Sequence, residues 1–298
     1  MNGIINVYKE EDFTSFDVVA KLRGILKQKK IGHTGTLDPK AQGVLPVCLG
    51  KATKVCDLLT DKDKVYEAVM LLGVTTDTQD LTGTVLFEKN VSCTEEEVRQ
   101  AVMAFVGDYD QVPPMYSALK VNGQKLCNLA RAGIEVERKA RPVHIFQIDL
   151  LSMELPRVKM RIHCSKGTYI RTLCQDIGDR LGCGACMESL LRTRVADFTI
   201  EHAYRLTEIE HAVKNGTVDR LIAPTDTVFS QYPKLTVREG YEKLLYNGNR
   251  LPVAAFETWQ EEWKARPVRI YDRDNRFVGI YEYKEQEREC KPIKLFLE

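Results

Sequence analysis

Residues 158–182 read VKMRIHCSKGTYIRTLCQDIGDRLG, and the change of rhythm within them decides what kind of fold the chain builds. Val158, Met160, Ile162 and Cys164 alternate with Lys159, Arg161 and His163, the period of a strand with one dry and one wet face. After the turn at 165–167, Ile170, Leu173, Cys174, Ile177 and Leu181 recur at helical spacing, so a helix follows that strand directly. Along the rest of the chain strand-like and helix-like runs interleave without the regular spacing of a βαβ repeat. The expected fold is therefore α+β: a mixed, mostly antiparallel sheet with flanking helices.

The same stretch puts Arg171 in the first turn of its helix, where a cation faces the positive end of the macrodipole. An anionic partner should compensate it. The motif GHTGTLDP at 32–39 offers one, because Asp38 stands alone between Leu37 and Pro39. An acid in a turn most often accepts backbone hydrogen bonds or caps a helix. Paired with Arg171, it would instead be a carboxylate kept ionised in a pocket against the pull of desolvation, and an ionised carboxylate needs no base to act as a nucleophile. Gly32 and Gly35 allow close approach to a ligand, and Pro39 stiffens the segment.

Two further helices are signalled by capping boxes, Thr14 with Asp17 and Thr94 with Glu97, each followed by an apolar stripe. The first carries Lys21, Arg23, Lys27, Lys29 and Lys30 and runs straight into the 32–39 motif. Residues 111–143 form a long insertion in which Lys120, Lys125, Arg131, Arg138, Lys139 and Arg141 are interleaved with Tyr116 and Asn128, a mixture suited to following phosphates or simply to a charged loop. From Pro233 the pattern turns to short β-rich segments with turn signals in YNGN and DRDN. The expected organisation is a main domain, 1–232, and a small β module, 233–298.

Composition sets limits on the chemistry. The 43 Lys and Arg nearly cancel the 42 Asp and Glu, so any polyanion must be met by local clusters. Nine cysteines scattered through apolar runs suit reduced thiols, and CGAC at 183–186 has no second half to complete a zinc site. No GxSxG, HExxH or GxGxxG is present, and GKAT at 50–53 lacks the first glycine of a P-loop. No metal or cofactor is expected. The acidic N-terminus and the lack of any long apolar run point to a cytoplasmic protein with no membrane segment, and nothing suggests more than a monomer. Tyr66 opens a strand on its apolar side and reads either as a core aromatic or as a ring at a pocket edge that stacks an extruded base.

These residues resemble those of the bacterial tRNA pseudouridine-55 synthases, the TruB family, over nearly the whole chain. The likeness is dense in GHTGTLDPKAQGVLPVCLGKATK (32–54), GVTTDTQDLTG (73–83), VPPMYSALKVNGQKL (112–126), ARAGIEVERKARPV (130–143), HCSKGTYIRTLCQDIGDRLGCGA (163–185) and LRTRVADF (191–198). It implies an isomerase that converts a tRNA T-loop uridine to pseudouridine without a cofactor, on a mostly antiparallel pseudouridine-synthase fold. By the same resemblance Asp38 attacks the nucleoside, Arg171 pairs with it, and Tyr66 stacks on the flipped base and is a candidate for proton transfer. His33 contacts the RNA where the uridine has left the stack, and Leu190 is an apolar pocket residue. Lys9, Lys120, Arg131 and Arg141 fall where RNA contacts are expected, with the 111–143 insertion gripping the T-arm stem-loop and the tail forming a PUA-like RNA-binding domain. One departure is that Lys9 is followed by Glu10, Glu11 and Asp12 where the family has Pro-x-Gly. The alternative is an RNA-binding protein or tRNA-folding chaperone that keeps the scaffold without catalysis.

Overall fold

The computed structural model describes residues 1–297. At its centre the strands Ile222–Ala223, Gly3–Lys9, Gln42–Leu49, Ala185–Val195, Lys64–Leu72, Arg157–Cys164, Arg141–Glu154 and Gly107–Gln111 lie side by side in that order. Neighbours along this path are antiparallel except Gln42–Leu49 and Ala185–Val195, where Leu191 faces Gln42 and Arg192 faces Gly43. The mixed, mostly antiparallel sheet expected from the interleaved pattern is the one that forms.

Its core follows from the two rhythms of 158–182. The Arg157–Cys164 strand buries Val158, Met160, Ile162 and Cys164, and the Ile170–Arg180 helix turns Ile170, Leu173, Cys174 and Ile177 into the same cluster. The Glu95–Met103 helix, opened by the reciprocal Thr94–Glu97 box, adds Val98, Ala101 and Val102. Cys183 and Cys186 are buried in the return from helix to sheet. Apolar surface removed from water at roughly 25 cal/mol per Å² is the main favourable term for such a core.

A second cluster sets the direction of the 32–39 motif. The Ser15–Leu26 helix starts with Asp17 N donating to Thr14 Oγ1 at 3.0 Å and Thr14 N donating back to Asp17 Oδ2 at 2.8 Å. It packs Val18, Leu22 and Leu26 on Ile5, Val7, Leu45 and Val47, beside Leu206 and Ile209 of the Leu206–Lys214 helix. The helix ends at Lys27, in the left-handed region at φ 49°, and the chain then enters the short strand Ile31–His33, which pairs with Gln42–Leu49. The loop between those two strands carries Asp38.

Beyond Pro233 a separate five-stranded sheet runs Lys234–Thr236, Val268–Tyr271, Phe277–Lys284, Glu289–Leu295, Leu251–Pro252 around its own core of Leu235, Val237, Leu251, Phe256, Trp263, Ile270 and Tyr281. Three parts of this tail are not β: Glu242–Tyr246 is a helical turn, and Val253–Ala255 and Glu261–Ala265 are short 3-10 helices. Gly248 of YNGN, at φ 67°, ends that turn and does not close a hairpin. Phe229, Ile280 and Phe296 close an apolar seam with Ile4, Cys48 and Val55 that joins this sheet to the main one.

Gly43 is needed where the parallel pair meets. It sits at φ 105°, and a Cβ there would stand 2.2 Å from the carbonyl oxygen of Arg192, backbone against backbone. Gly43→Ala is expected to lose more than about 3 kcal/mol of stability, read as a lower urea midpoint. An unchanged midpoint would contradict this account of the junction.

Candidate active site

The loop that carries Asp38 is held from several sides. Thr34 is buried and donates through its amide and its hydroxyl to Pro46 O, each at 3.1 Å. The Leu37 side chain enters the core, and its amide donates to Ser15 Oγ at 2.9 Å, so the start of the first helix anchors the loop. Ala41 N closes a turn on Asp38 O at 3.1 Å. Backbone groups satisfied in this way leave the Asp38 side chain little freedom to swing.

Lys9 completes the brace and corrects an expectation. Its side chain is not on the surface, where an RNA contact was expected: the residue is 0% exposed, with Nζ donating to Glu10 O at 3.0 Å, Pro39 O at 3.0 Å and Ala41 O at 2.6 Å. An ammonium has three donors and all three are used. Burial is the main cause that lowers its pKa to about 8, with the carboxylate of Asp38 pulling the other way. The acids after it are held by neighbours: Glu10 accepts from Arg205 at 2.6 Å, and Glu11 and Asp12 pair with Lys40 at 3.3 and 2.8 Å.

Arg171 and Asp38 meet. Nη2 of Arg171 lies 3.2 Å from Oδ1 of Asp38 and donates also to Tyr116 O at 2.7 Å, while Nη1 is 3.8 Å from Oδ2 of Asp80. The two partners differ in exposure: the arginine side chain is 6% exposed and that of Asp38 is 35% exposed. A buried cation thus holds a carboxylate that still opens outward. Burial pushes the Asp38 pKa up, Arg171 and Lys9 pull it down, and Asp80 pushes it up again, with the net direction upward. The guanidinium therefore offsets only part of the desolvation, which is the reverse of the balance expected from the pairing alone.

Asp80 was not singled out from the sequence. It lies in the loop after Val74–Thr76, where Oδ1 accepts from Thr78 Oγ1 at 2.8 Å and from Thr82 N and Oγ1 at 2.9 and 2.5 Å. Those bonds fix its other oxygen toward Arg171. The spacing Thr-x-Asp-x-Thr was the available signal, a short acid flanked by hydroxyls that satisfy one side and free the other.

Tyr66 is buried in the core on the strand Lys64–Leu72, facing Ile162 on one side and Arg192 on the other. Burial raises its pKa, and Arg192 opposes that rise. Leu190 is half-buried and faces Ala68, two residues along from Tyr66. His33 is half-buried, its Nδ1 accepts from Gly35 N at 3.3 Å, and burial followed by Arg192 lowers its pKa. In the insertion, Lys120 opens a small hairpin, Arg131 ends the helical turn Leu126–Arg131, and Arg141 begins the strand Arg141–Glu154; all three are exposed. Among the sequence-selected residues Asp38, Arg171 and Tyr66 come together, and the bond from Arg171 to Tyr116 O ties the insertion to them.

With the geometry in place, comparison with known proteins is decisive. A relative from Lachnoclostridium phytofermentans named tRNA pseudouridine synthase B is 57% identical over 308 residues, covering all of both chains. The chain belongs to the TruB family of pseudouridylate synthases. The family model described as the TruB family pseudouridylate synthase N-terminal domain matches residues 23–170, and that of the tRNA pseudouridylate synthase B C-terminal domain matches 171–230. A Clostridium kluyveri protein of the same name is 42% identical over 297 residues, again covering both chains fully. Among solved structures, a Cbf5-Nop10-Gar1 complex aligns with TM-score 0.73 and 28% identity, covering 99% of this chain and 85% of that one. An H/ACA RNP bound to a substrate RNA containing 2'-deoxyuridine aligns with TM-score 0.72 and 26% identity at the same coverage. This member of the family is an isomerase acting as a tRNA pseudouridine synthase.

The role given to Lys9 can be tested by stability. Lys9→Met keeps the stem but removes the lysine's bonds to Glu10 O, Pro39 O and Ala41 O, of which Pro39 O keeps the Asp12 amide, and is expected to cost about 1–3 kcal/mol. Urea denaturation measures this, and a midpoint equal to that of the parent would remove Lys9 from the brace.

Proposed function

We propose that the chain isomerises uridine 55 in the T loop of tRNA to pseudouridine, with Asp38 as the nucleophile. The observation that carries this is the 3.2 Å pair between a buried Arg171 and an outward-facing Asp38. The carboxylate presents its free oxygen to a nucleoside, attack lets the base detach, and the base turns and rejoins the sugar through C5. Tyr66 provides the ring on which the extruded uracil stacks, and Leu190 the apolar contact beside it. His33 meets the RNA at the vacated position. The exposed Lys120, Arg131 and Arg141 meet phosphates of the T-arm stem-loop, and the 233–298 module acts as a PUA-like RNA-binding domain beside them. The protein works as a monomer in the cytoplasm.

Purified Asp38→Asn is expected to bind a T-arm stem-loop and form no pseudouridine; undiminished conversion would refute the role of Asp38. Arg171→Lys should lose about a hundredfold in single-turnover rate, because an ammonium does not reproduce the reach of a guanidinium to Asp38 and Tyr116 O together. Near-normal turnover would show the pairing to be unimportant.

The pH dependence has a definite sign. The reaction needs the carboxylate, so the rate falls as pH drops through the raised pKa of Asp38. Arg171→Met removes a downward pull on that pKa and should move the acid limb of the rate profile to higher pH. A limb that stays in place or moves to lower pH contradicts the assignment.

A further inference from the structure

Arg192 stands opposite Tyr66 in one ladder and opposite Gly43 in the other, beneath the loop that carries Asp38. It is only 1% exposed, yet among the described residues no carboxylate lies within ion-pair distance of it. Its Nε donates to Val44 O at 2.7 Å and its Nη2 to Gly35 O at 3.3 Å. Nη1 lies 3.7 Å from where a Cβ of Gly35 would be, ordinary van der Waals contact, so the glycine there is required by its φ of 129° and not by space for the guanidinium. Directly across the ladder from Arg192 stands Tyr66, and the guanidinium and the phenol act on each other's charge. Burying a guanidinium without an anion is costly, and a packed Met or Leu at this strand position would avoid the cost. The position keeps a buried charge that is shared between two backbone carbonyls and the phenol opposite it on the sheet.

We propose that Arg192 is a positioning residue for the isomerisation, holding the phenol oxygen of Tyr66 from the sheet side so that the phenolic hydrogen is presented to the crevice at Asp38. The inference rests on the reading above that Tyr66 meets the extruded base. A guanidinium has donors only, so the oxygen of Tyr66 accepts on that side and its own hydrogen must point elsewhere. The groups facing Tyr66 are Arg192 from one neighbouring strand, Cys164 from the Arg157–Cys164 strand, and Asp38 from the loop. Of these only Arg192 favours the phenolate, opposing burial and the two potential anions. Isomerisation exchanges a C–N bond for a C–C bond and transfers one proton from C5 to N1. When the C5–H bond breaks, its electrons restore the ring double bond; a phenol that gives its hydrogen to N1 and, as the phenolate held by Arg192, takes the proton from C5 is left unchanged.

The test uses the full chain, a T-arm stem-loop and single-turnover rates. Arg192→Lys and Arg192→Met are expected to lose about tenfold to hundredfold in rate while the Kd for the stem-loop stays within about threefold. In a Tyr66→Phe background the same substitutions should cost no further rate. A rate within twofold of the parent overturns the proposal, as does an equal loss in the Phe background, which would assign Arg192 to loop support alone. Because the variants are buried, a second measurement leaves Arg192 intact. Ring-fluorinated tyrosine at 66, a more acidic phenol, should move the basic limb of the parent rate profile to lower pH; an unmoved limb overturns the proposal. Absence of product from the parent, or product from Asp38→Asn, would instead overturn the reading of the site on which this one rests.

Discussion

A guanidinium at the start of one helix and a carboxylate in a loop 133 residues earlier hold each other across the crevice, and the rest of the site is arranged around that pair. Arg171 faces the unfavourable end of a helix dipole inside an apolar cluster, a position that only nearby anions and carbonyl oxygens make tolerable. Asp38, Asp80 and Tyr116 O supply them from three separate segments. Those segments are brought together because the central sheet places Lys64–Leu72 and Arg157–Cys164 side by side and the helix after the latter folds back over them. Packing thus carries the chemistry, and the site costs stability that the cores on either side offset.

The electrostatics are more crowded with cations than a near-neutral chain suggests. Lys9, Lys64, Arg171 and Arg192 are all buried around the loop and its neighbouring strands, against Asp38 and Asp80. Lys64, like Lys9, reaches backbone carbonyls, those of Thr60 and Lys62, and burial lowers its pKa to about 8. Carbonyl oxygens, with their partial negative charges, take the place of carboxylates for these side chains.

What was legible in the chain was whatever repeats locally. The switch from alternation to helical spacing at 158–182, the two capping boxes and the odd location of Arg171 are properties of neighbouring residues, and each has its counterpart in the fold. The burial of Lys9 and Arg192 was not legible. A lysine or arginine in a strand reads as a wet-face residue, and only tertiary structure reveals that carbonyl oxygens gather where its tip ends. Asp80 was hidden for a related reason, since its partner is remote and its own loop looks like an ordinary turn. In the tail, YNGN carried the correct information, a residue with positive φ, but a helical turn and a hairpin both require one.

The hydrogen bond from Arg171 to Tyr116 O has a consequence for how grip and reactivity communicate. A single nitrogen serves two acceptors, the acid on one side and the base of the long insertion on the other. That nitrogen carries two hydrogens, one for each acceptor, so both fix where the guanidinium sits, and a shift of the insertion that moves Tyr116 O moves the cation relative to the acid and alters how readily the acid carries its charge. Two distant parts of the polypeptide are thereby linked in thermodynamic terms, without a hinge or a moving domain between them.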